Sequence, residues 1–272
     1  MIETIYELYK KAYSITTDSR NITKDCIFVA LKGEHFDGND FALKVAEEGI
    51  AAGVIADRKD LPKHERLFVV EDSLKCLQEL AKHHRKQLGL PIIGITGTNG
   101  KTTTKELVSA VLAKKYNIAF TQGNFNNQLG VPLTLLRIKP GTELAVVEMG
   151  ASHPGDIDEL TGIGEPNYGI ITNIGRAHLR DFGGYEGVIK TKNEMCYIPV
   201  NFPVVPTVVP TSRFPQNCRR WVSILTSTTK MTALDWSISP IRQRLKVTVS
   251  SNTRGISEMV THQTSLIQTP IS

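Results

Sequence analysis

The fold is decided by one run of sequence, Ile92-Ile93-Gly94-Ile95-Thr96-Gly97-Thr98-Asn99-Gly100-Lys101-Thr102-Thr103. Its apolar beginning predicts a buried strand, its glycines predict a tight turn, and the residues from Lys101 onward predict a helix. A glycine turn before a helix N-terminus points several backbone N–H groups at one spot, which is how proteins bind phosphate. We therefore predict a nucleotide phosphate loop, with Lys101 at the β and γ phosphates and Thr102 at a bridging Mg²⁺.

The predicted nucleotide contacts are Gly97, Thr98, Asn99, Gly100, Lys101, Thr102 and Thr103. The loop departs from the general pattern G-x-x-x-x-G-K-[ST], because Ile95 stands where that pattern has glycine. A glycine turn without function is the alternative. It is the weaker interpretation, because the strand, the Gly-Lys-Thr sequence and the helix occur together.

Outward from the loop, strands alternate with helices. Apolar strands are expected at residues 91–96, 144–149 and 168–174, with a helix over 101–115. This alternation predicts an α/β fold with a mainly parallel sheet, whose ligands gather at the carboxyl ends of the strands. We take this central domain to span residues 89–194.

Residues 1–88 are predicted to form a smaller α/β domain. The expected elements are strands at 26–31, 53–56 and 67–70, and helices at 41–52 and 73–88. In the second helix, His83 and His84 lie beside basic residues, so we expect a solvated helix end rather than a metal site.

Residues 195–272 differ in character from the rest of the chain. They hold one of the 21 glycines but seven of the thirteen prolines and both tryptophans. They also carry eight basic against two acidic residues, so the net charge of +5 arises in this segment. We expect an irregular tail foreign to the domain before it, which arose from a frameshift or a fusion, with a natural disordered extension as the alternative.

Several classes of protein are disfavoured. Arg219-Arg220-Trp221 is a small basic cluster without a nucleic-acid-binding motif around it, so no nucleic acid is expected as a partner. There is no signal peptide and no apolar run of about 18 residues, so we expect a cytoplasmic protein without a membrane span. The four scattered cysteines indicate reduced structural thiols.

The loop Thr96-Gly97-Thr98-Asn99-Gly100-Lys101-Thr102-Thr103 resembles that of the Mur ligase and folylpolyglutamate synthetase superfamily. The run Gly123-Asn124-Phe125-Asn126-Asn127-Gln128-Leu129-Gly130-Val131-Pro132 is similar to a segment of the Mur ligases that add D-alanyl-D-alanine. This resemblance implies substrate contacts at Asn124, Asn126 and Asn127.

The same resemblance implies a set of metal ligands besides Thr102. Glu148 ends a strand and begins a segment like the family's E-x-G-x-x-x-x-G-E-I. His178 matches a family histidine on a second Mg²⁺, and Lys192 matches a lysine that the family carbamylates. Without the resemblance, His178 would be a hydrogen-bonding histidine and Lys192 an exposed lysine. The chain departs from the family pattern at Arg180-Asp181, usually Glu-Gly, and at Asn193, usually glycine.

In the first domain, Thr17-Asp18-Ser19-Arg20 and the run over residues 31–41 resemble two motifs that hold a UDP-linked muramoyl peptide. The implied contacts are Ser19, Arg20 and Lys32, of which the two cations suit a diphosphate. The alternative is that Asp18 and Ser19 cap a turn and the charges are solvated.

The resemblance implies an ATP- and Mg²⁺-dependent ligase that joins D-alanyl-D-alanine to UDP-N-acetylmuramoyl-tripeptide through an acyl phosphate, for peptidoglycan synthesis. The catalytic residues would be Lys101, His178 and Lys192, in a monomer. Because the resemblance ends near Glu194, we expect little ligase activity from this chain. The alternatives are a non-catalytic fragment that binds nucleotide or UDP-sugar, and another ligase of the superfamily.

Overall fold

The computed structural model describes residues 1–197 and 204–206. The first domain contains α1 Ile2–Tyr9, β1 Ile15–Thr16, β2 Ile27–Val29, α2 Asn39–Glu48, β3 Gly53–Ala56, β4 Leu67–Val69 and α3 Ser73–Leu88. Its four strands form a parallel sheet in the order β1-β2-β3-β4. The predicted small α/β domain is confirmed.

The central domain contains β5 Ile92–Thr96, α4 Lys101–Leu112, β6 Ile118–Phe120, α5 Gly130–Leu136, β7 Leu144–Glu148, α6 Asp156–Gly164, β8 Tyr168–Ile171, α7 Tyr185–Asn193, a 3₁₀ helix Glu194–Tyr197 and β9 Val204–Pro206. Its sheet has the order β6-β7-β5-β8-β9, and all its strand pairs are parallel. The predicted parallel sheet is confirmed. Because β5 lies between β7 and β8, the turns that follow these three strands meet at one edge of the sheet.

The strands in the middle of the sheet are apolar because both of their faces are covered. Every residue of β5 and of β7 is buried. Ile95 is fully buried and pairs with Glu148 and Ile170, so it is a core residue of β5 and the phosphate loop begins after it.

Strand β9 was not predicted, since residues after 194 were expected to be irregular. It pairs in parallel with β8, as Gly169 with Val204 and Ile171 with Pro206, and extends the sheet by one strand. The remainder of the predicted tail, residues 198–203 and 207–272, lies outside the described residues, and so do Cys218 and the Arg219-Arg220-Trp221 cluster.

Helix α3 joins the two domains and corrects the expectation for its histidines. It is capped at both ends: the Asp72 side chain accepts from the Lys75 N–H at 2.9 Å, and Gly89 adopts a left-handed φ of 63°. His84 is fully buried, with its Nε2 2.8 Å from the Ile138 carbonyl oxygen. The expectation of a solvated end was wrong for His84, because the Tyr6 and Tyr9 rings of α1 and the turn after α5 cover it.

Helices α2 and α4 end earlier than the sequence pattern predicts. Helix α2 stops at Glu48 because Gly49 turns left-handed at φ 71°, whereas the pattern predicted a helix to residue 52. Helix α4 ends at Leu112, three residues before the predicted end. Among the residues that the structure describes, no helix is long and apolar enough to cross a membrane.

Candidate active site

The predicted phosphate loop follows β5 and runs directly into α4. Two of its glycines adopt positive φ, Gly97 at 141° and Gly100 at 77°. A Cβ atom at Gly97 would lie 2.1 Å from Thr172 Oγ1, so no larger residue fits there without a shift of the neighbouring segment. The positive φ angles of Gly97 and Gly100 give a tight turn directly in front of the N-terminus of α4, which is the geometry of an anion-binding loop.

The loop is held by the segment that follows β8. The Thr98 N–H donates to the Asn173 carbonyl oxygen at 3.0 Å, and the Asn99 N–H donates to Asn173 Oδ1 at 2.9 Å. Thr98 Oγ1 in turn accepts from the Gly175 N–H at 2.9 Å. Asn173 was not predicted as a site residue, although its place at the end of a predicted strand was a usable signal.

Lys101 lies over the loop that precedes it. Its Nζ donates to the Gly97 carbonyl oxygen at 2.9 Å and to the Thr98 carbonyl oxygen at 3.2 Å. Burial lowers the pKa of Lys101, and the Glu148 carboxylate opposes that shift. The ammonium group is therefore placed at the loop, where the resemblance implies a bound phosphate.

Glu148 ends β7 and is only 1% exposed. Its Oε1 accepts from Asn126 Nδ2 at 2.8 Å and, more weakly, from Thr102 Oγ1 at 3.4 Å. Its backbone N–H donates to Thr121 Oγ1 at 3.0 Å, and its Oε2 is buried without a hydrogen-bond partner among the described residues. A buried carboxylate oxygen without a donor, beside a threonine hydroxyl, fits a hard cation such as Mg²⁺.

The three candidate asparagines have different surroundings. Asn126 holds Glu148 with its side chain, and its carbonyl oxygen accepts from the Gly150 N–H at 2.7 Å. Asn127 Oδ1 accepts from the Gly130 N–H at 2.8 Å, where α5 begins. Asn124 is exposed. Asn126 and Asn127 thus shape the site, and the substrate contacts of all three stay predictions.

Lys192 is 3% exposed on α7, so the alternative of an exposed lysine was wrong. Its Nζ lies 5.6 Å from the centre of the Phe182 ring. Burial and the nearby Lys101 ammonium lower the pKa of Lys192 to about 8, against the opposing charges of Asp156 and Glu194. A fraction of Lys192 is therefore a neutral amine near neutral pH, which is the form that carbamylation requires.

His178 lies on the turn between β8 and α7, with its side chain 61% exposed and its backbone at a left-handed φ of 53°. Its Nδ1 is 3.6 Å from Asp181 Oδ2, and its ring centre is 6.5 Å from that of Phe182. His178 and Lys192 thus flank the same aromatic ring. Within residues 1–197 no three His, Cys, Asp or Glu side chains cluster as a ready metal site.

The candidate UDP contacts lie in the first domain. The Arg20 guanidinium is exposed and donates twice to the Asp18 carboxylate, at 2.9 and 3.0 Å, which lowers the pKa of Asp18. Ser19 is half-buried and Lys32 is exposed. The backbone of Lys32 bridges to that of Asp37 across a short loop.

The structure thus brings Lys101, Thr102, Asn126 and Glu148 into one site at the carboxyl edge of the central sheet. Lys192 lies close enough to Lys101 for their charges to interact. Cationic side chains and a carboxylate grouped in one site are a combination that can act on phosphate oxygens.

Two family models match the chain. "Mur ligase family, catalytic domain" matches residues 11–85, and "Mur ligase middle domain" matches residues 95–252. The second match extends past residue 194, the predicted end of the central domain, so the domain limits stay predictions.

Curated relatives support the same family. A "UDP-N-acetylmuramoyl-tripeptide--D-alanyl-D-alanine ligase" of Bacillus subtilis (strain 168) is 44% identical over 185 residues, which are 67% of this chain and 40% of that protein. The protein of the same name from Escherichia coli (strain K12) is 40% identical over 185 residues, with the same coverage. The chain spans about 40% of the length of these relatives.

Two solved structures support the same family as the sequence matches. The MurF ligase from Thermotoga maritima in complex with ADP is 34% identical, with a TM-score of 0.71, over 78% of this chain and 49% of that one. MurF from Acinetobacter baumannii is 33% identical, with a TM-score of 0.68, over 78% of this chain and 47% of that one. The middle-domain model covers more than half of this chain, and together with the sequence and structure matches it shows that the chain belongs to the Mur ligase family.

Proposed function

We propose that this chain provides the nucleotide site and the UDP-substrate site of an ATP-dependent ligase that joins D-alanyl-D-alanine to UDP-N-acetylmuramoyl-tripeptide. The names of the curated relatives support the substrates, and the ADP complex of the Thermotoga maritima protein supports the nucleotide. The activity is a proposal because the chain spans about 40% of the relatives' length.

The observation that carries the proposal is the buried Glu148 carboxylate beside the phosphate loop. One of its oxygens is held by Asn126, from the segment similar to that of the D-alanyl-D-alanine-adding ligases, while the other has no hydrogen-bond partner in the part of the chain that the structure describes. Thr102 and Glu148 would hold one Mg²⁺, and His178 with a carbamylated Lys192 would hold a second. Bound Mg²⁺ would offset negative charge on the phosphate oxygens.

In the proposed reaction, the substrate carboxylate attacks the γ-phosphorus of ATP, the bond to the β-phosphate oxygen breaks, ADP leaves, and the carboxylate becomes an acyl phosphate. The dipeptide amine then attacks the acyl carbon, and phosphate leaves as the amide bond forms. The chain contributes mainly position and charge: loop N–H groups hold the phosphates, and the Lys101 ammonium offsets the charge that builds up during transfer.

We also propose the cellular role and location of this protein. A ligase with these substrates works in peptidoglycan synthesis, for cell-wall formation and division. We propose a cytoplasmic monomer, in keeping with the reduced thiols of the buried Cys26 and Cys76.

Calorimetry with a non-hydrolysable ATP analogue tests the nucleotide site. We expect binding that Mg²⁺ strengthens, and much weaker binding in Lys101→Met, whose side chain keeps the length but loses the charge. Lys114→Met is the matched control, because Lys114 is exposed near the far end of α4. If the analogue does not bind at saturating Mg²⁺, the proposal is wrong.

Phosphate release tests the reaction itself. Release from ATP that requires both UDP-N-acetylmuramoyl-tripeptide and D-alanyl-D-alanine would establish the ligase reaction. Binding of ATP and of the UDP-tripeptide without any release would instead identify this chain as the non-catalytic binding fragment.

A further inference from the structure

The loop that carries Lys32 is fixed at its base by a buried amide. Asn39 is 2% exposed, and its Nδ2 donates to Asp37 Oδ1 and to Asp57 Oδ1, both at 2.8 Å. Its Oδ1 accepts from the Asp57 backbone N–H at 3.0 Å. Both polar ends of this side chain are therefore used, and an amide is the group that can donate to two carboxylates while it accepts an N–H.

Arg58 holds the same loop from the rim. Its Nη2 donates to Asp37 Oδ2 at 3.0 Å and to Asp40 Oδ1 at 2.6 Å, so one guanidinium joins both ends of the turn into α2. Burial alone would raise the pKa of Asp37, but hydrogen bonds from Asn39 and Arg58 outweigh it and lower that pKa. Asp37 is thus a charged anchor with donors on both oxygens.

The network is tied to the core of the domain. Asp57 directly follows β3, and its Oδ2 accepts from the Ser73 N–H at the start of α3 at 3.2 Å. The loop itself is tight: the Gly38 N–H donates to the Leu31 carbonyl oxygen at 2.9 Å, and a Cβ at Gly38 would come within 2.9 Å of the Leu31 backbone. These hydrogen bonds and the close packing at Gly38 fix the base of the loop. The exposed residues of the loop, Lys32 among them, take their position from this base.

Asp37 connects this base to Lys32, because the backbones of these two residues form the bridge that closes the loop. We propose that Asn39 and Arg58 are positioning residues for the UDP-linked substrate: they act through Asp37 to present Lys32 to the diphosphate. This inference rests on the proposed function. Neither residue contacts the ligand in this proposal. Each restricts the loop before the ligand binds, so that less conformational entropy is lost on binding.

Calorimetry of two ligands with the same protein tests the inference, because the ATP analogue binds in the other domain. In Asn39→Ala, we expect affinity for UDP-N-acetylmuramoyl-tripeptide to fall about tenfold, which equals about 1.4 kcal/mol, with an unchanged ATP analogue affinity. Asn39→Asp should weaken it further, because a third carboxylate would replace the donor that faces Asp37 and Asp57. Damage to the whole fold would lower both affinities together and would overturn the positioning role.

Arg58→Met provides a second variant in case the buried position does not tolerate change. Its side chain is 34% exposed, and we expect the same selective loss of UDP-tripeptide affinity. Arg66→Met is the matched control, since Arg66 supports the Gly49 and Ala51 carbonyl oxygens elsewhere in this domain. Unchanged UDP-tripeptide affinity in Asn39→Ala and Arg58→Met would refute this inference alone, whereas a wild-type chain that does not bind the UDP-tripeptide would refute the proposed substrate site as well.

Discussion

Replacing Asn126 by alanine should weaken Mg²⁺-dependent nucleotide binding. The Asn126 amide donates to Glu148 Oε1 at 2.8 Å, whereas the other donor, Thr102 Oγ1, is at 3.4 Å, so Asn126 is the stronger support of that oxygen. A hydrogen bond to a charged group contributes about 1.5–3 kcal/mol, and a second-sphere partner of a metal ligand typically changes metal affinity by about 10- to 100-fold. We therefore expect Asn126→Ala to reduce the affinity for the nucleotide by about 10- to 100-fold in the presence of Mg²⁺.

The assay is calorimetry with a non-hydrolysable ATP analogue, with Mg²⁺ and with EDTA. The Asn126→Ala chain should bind the analogue as the wild type does in EDTA, because Lys101 and the loop are unchanged. Gln122→Ala is the control, an exposed residue four positions earlier. If Asn126→Ala kept the full gain in affinity from Mg²⁺, the view that Asn126 orients Glu148 for the metal would be refuted.

Three further changes test the loop and the junction between the domains. Gly97→Ala should reduce ATP analogue affinity by about tenfold or more in a chain with normal circular dichroism, because its Cβ would meet Thr172 Oγ1 at 2.1 Å and its φ is 141°. Burial lowers the pKa of His84 below its ordinary value of about 6.5, because the buried ring is held in its neutral form. The contribution of His84 to stability is therefore fully present above about pH 6.5 and is lost as the pH falls through the lowered pKa. Urea unfolding at pH 7 and pH 5 should show a larger drop for the wild type than for His84→Gln, and equal drops would contradict this reasoning. Arg85→Met should lower the free energy of unfolding by about 2–4 kcal/mol, because the buried guanidinium makes three hydrogen bonds of 3.0–3.1 Å to the turn between α6 and β8. If the urea midpoint of Arg85→Met equalled that of the wild type, the view that these three hydrogen bonds stabilise the fold would be wrong.

The sequence alone was sufficient for the class of fold and for the phosphate loop. Strand, glycine turn and helix are local patterns, since the apolar run of β5, the glycines and Lys101 are neighbours along the chain. The alternation of such units predicts parallel pairing, because right-handed crossover connections leave few other arrangements. Glu148 is visible in the sequence as the polar end of an apolar strand, but its predicted role as a metal ligand came from the family resemblance.

Contacts between distant parts of the chain were decided by the tertiary structure. The partner of Glu148 is Asn126, on another loop, and no periodicity connects these two positions. His84 lies in a basic stretch that reads as solvated, yet Tyr6 and Ile138 enclose it because two domains meet on α3. Lys192 is buried for the same kind of reason, since α7 packs against α6 and the 3₁₀ helix. Local sequence sets which element forms, but burial and partners depend on which surfaces meet in space, and that is settled only when the whole chain packs.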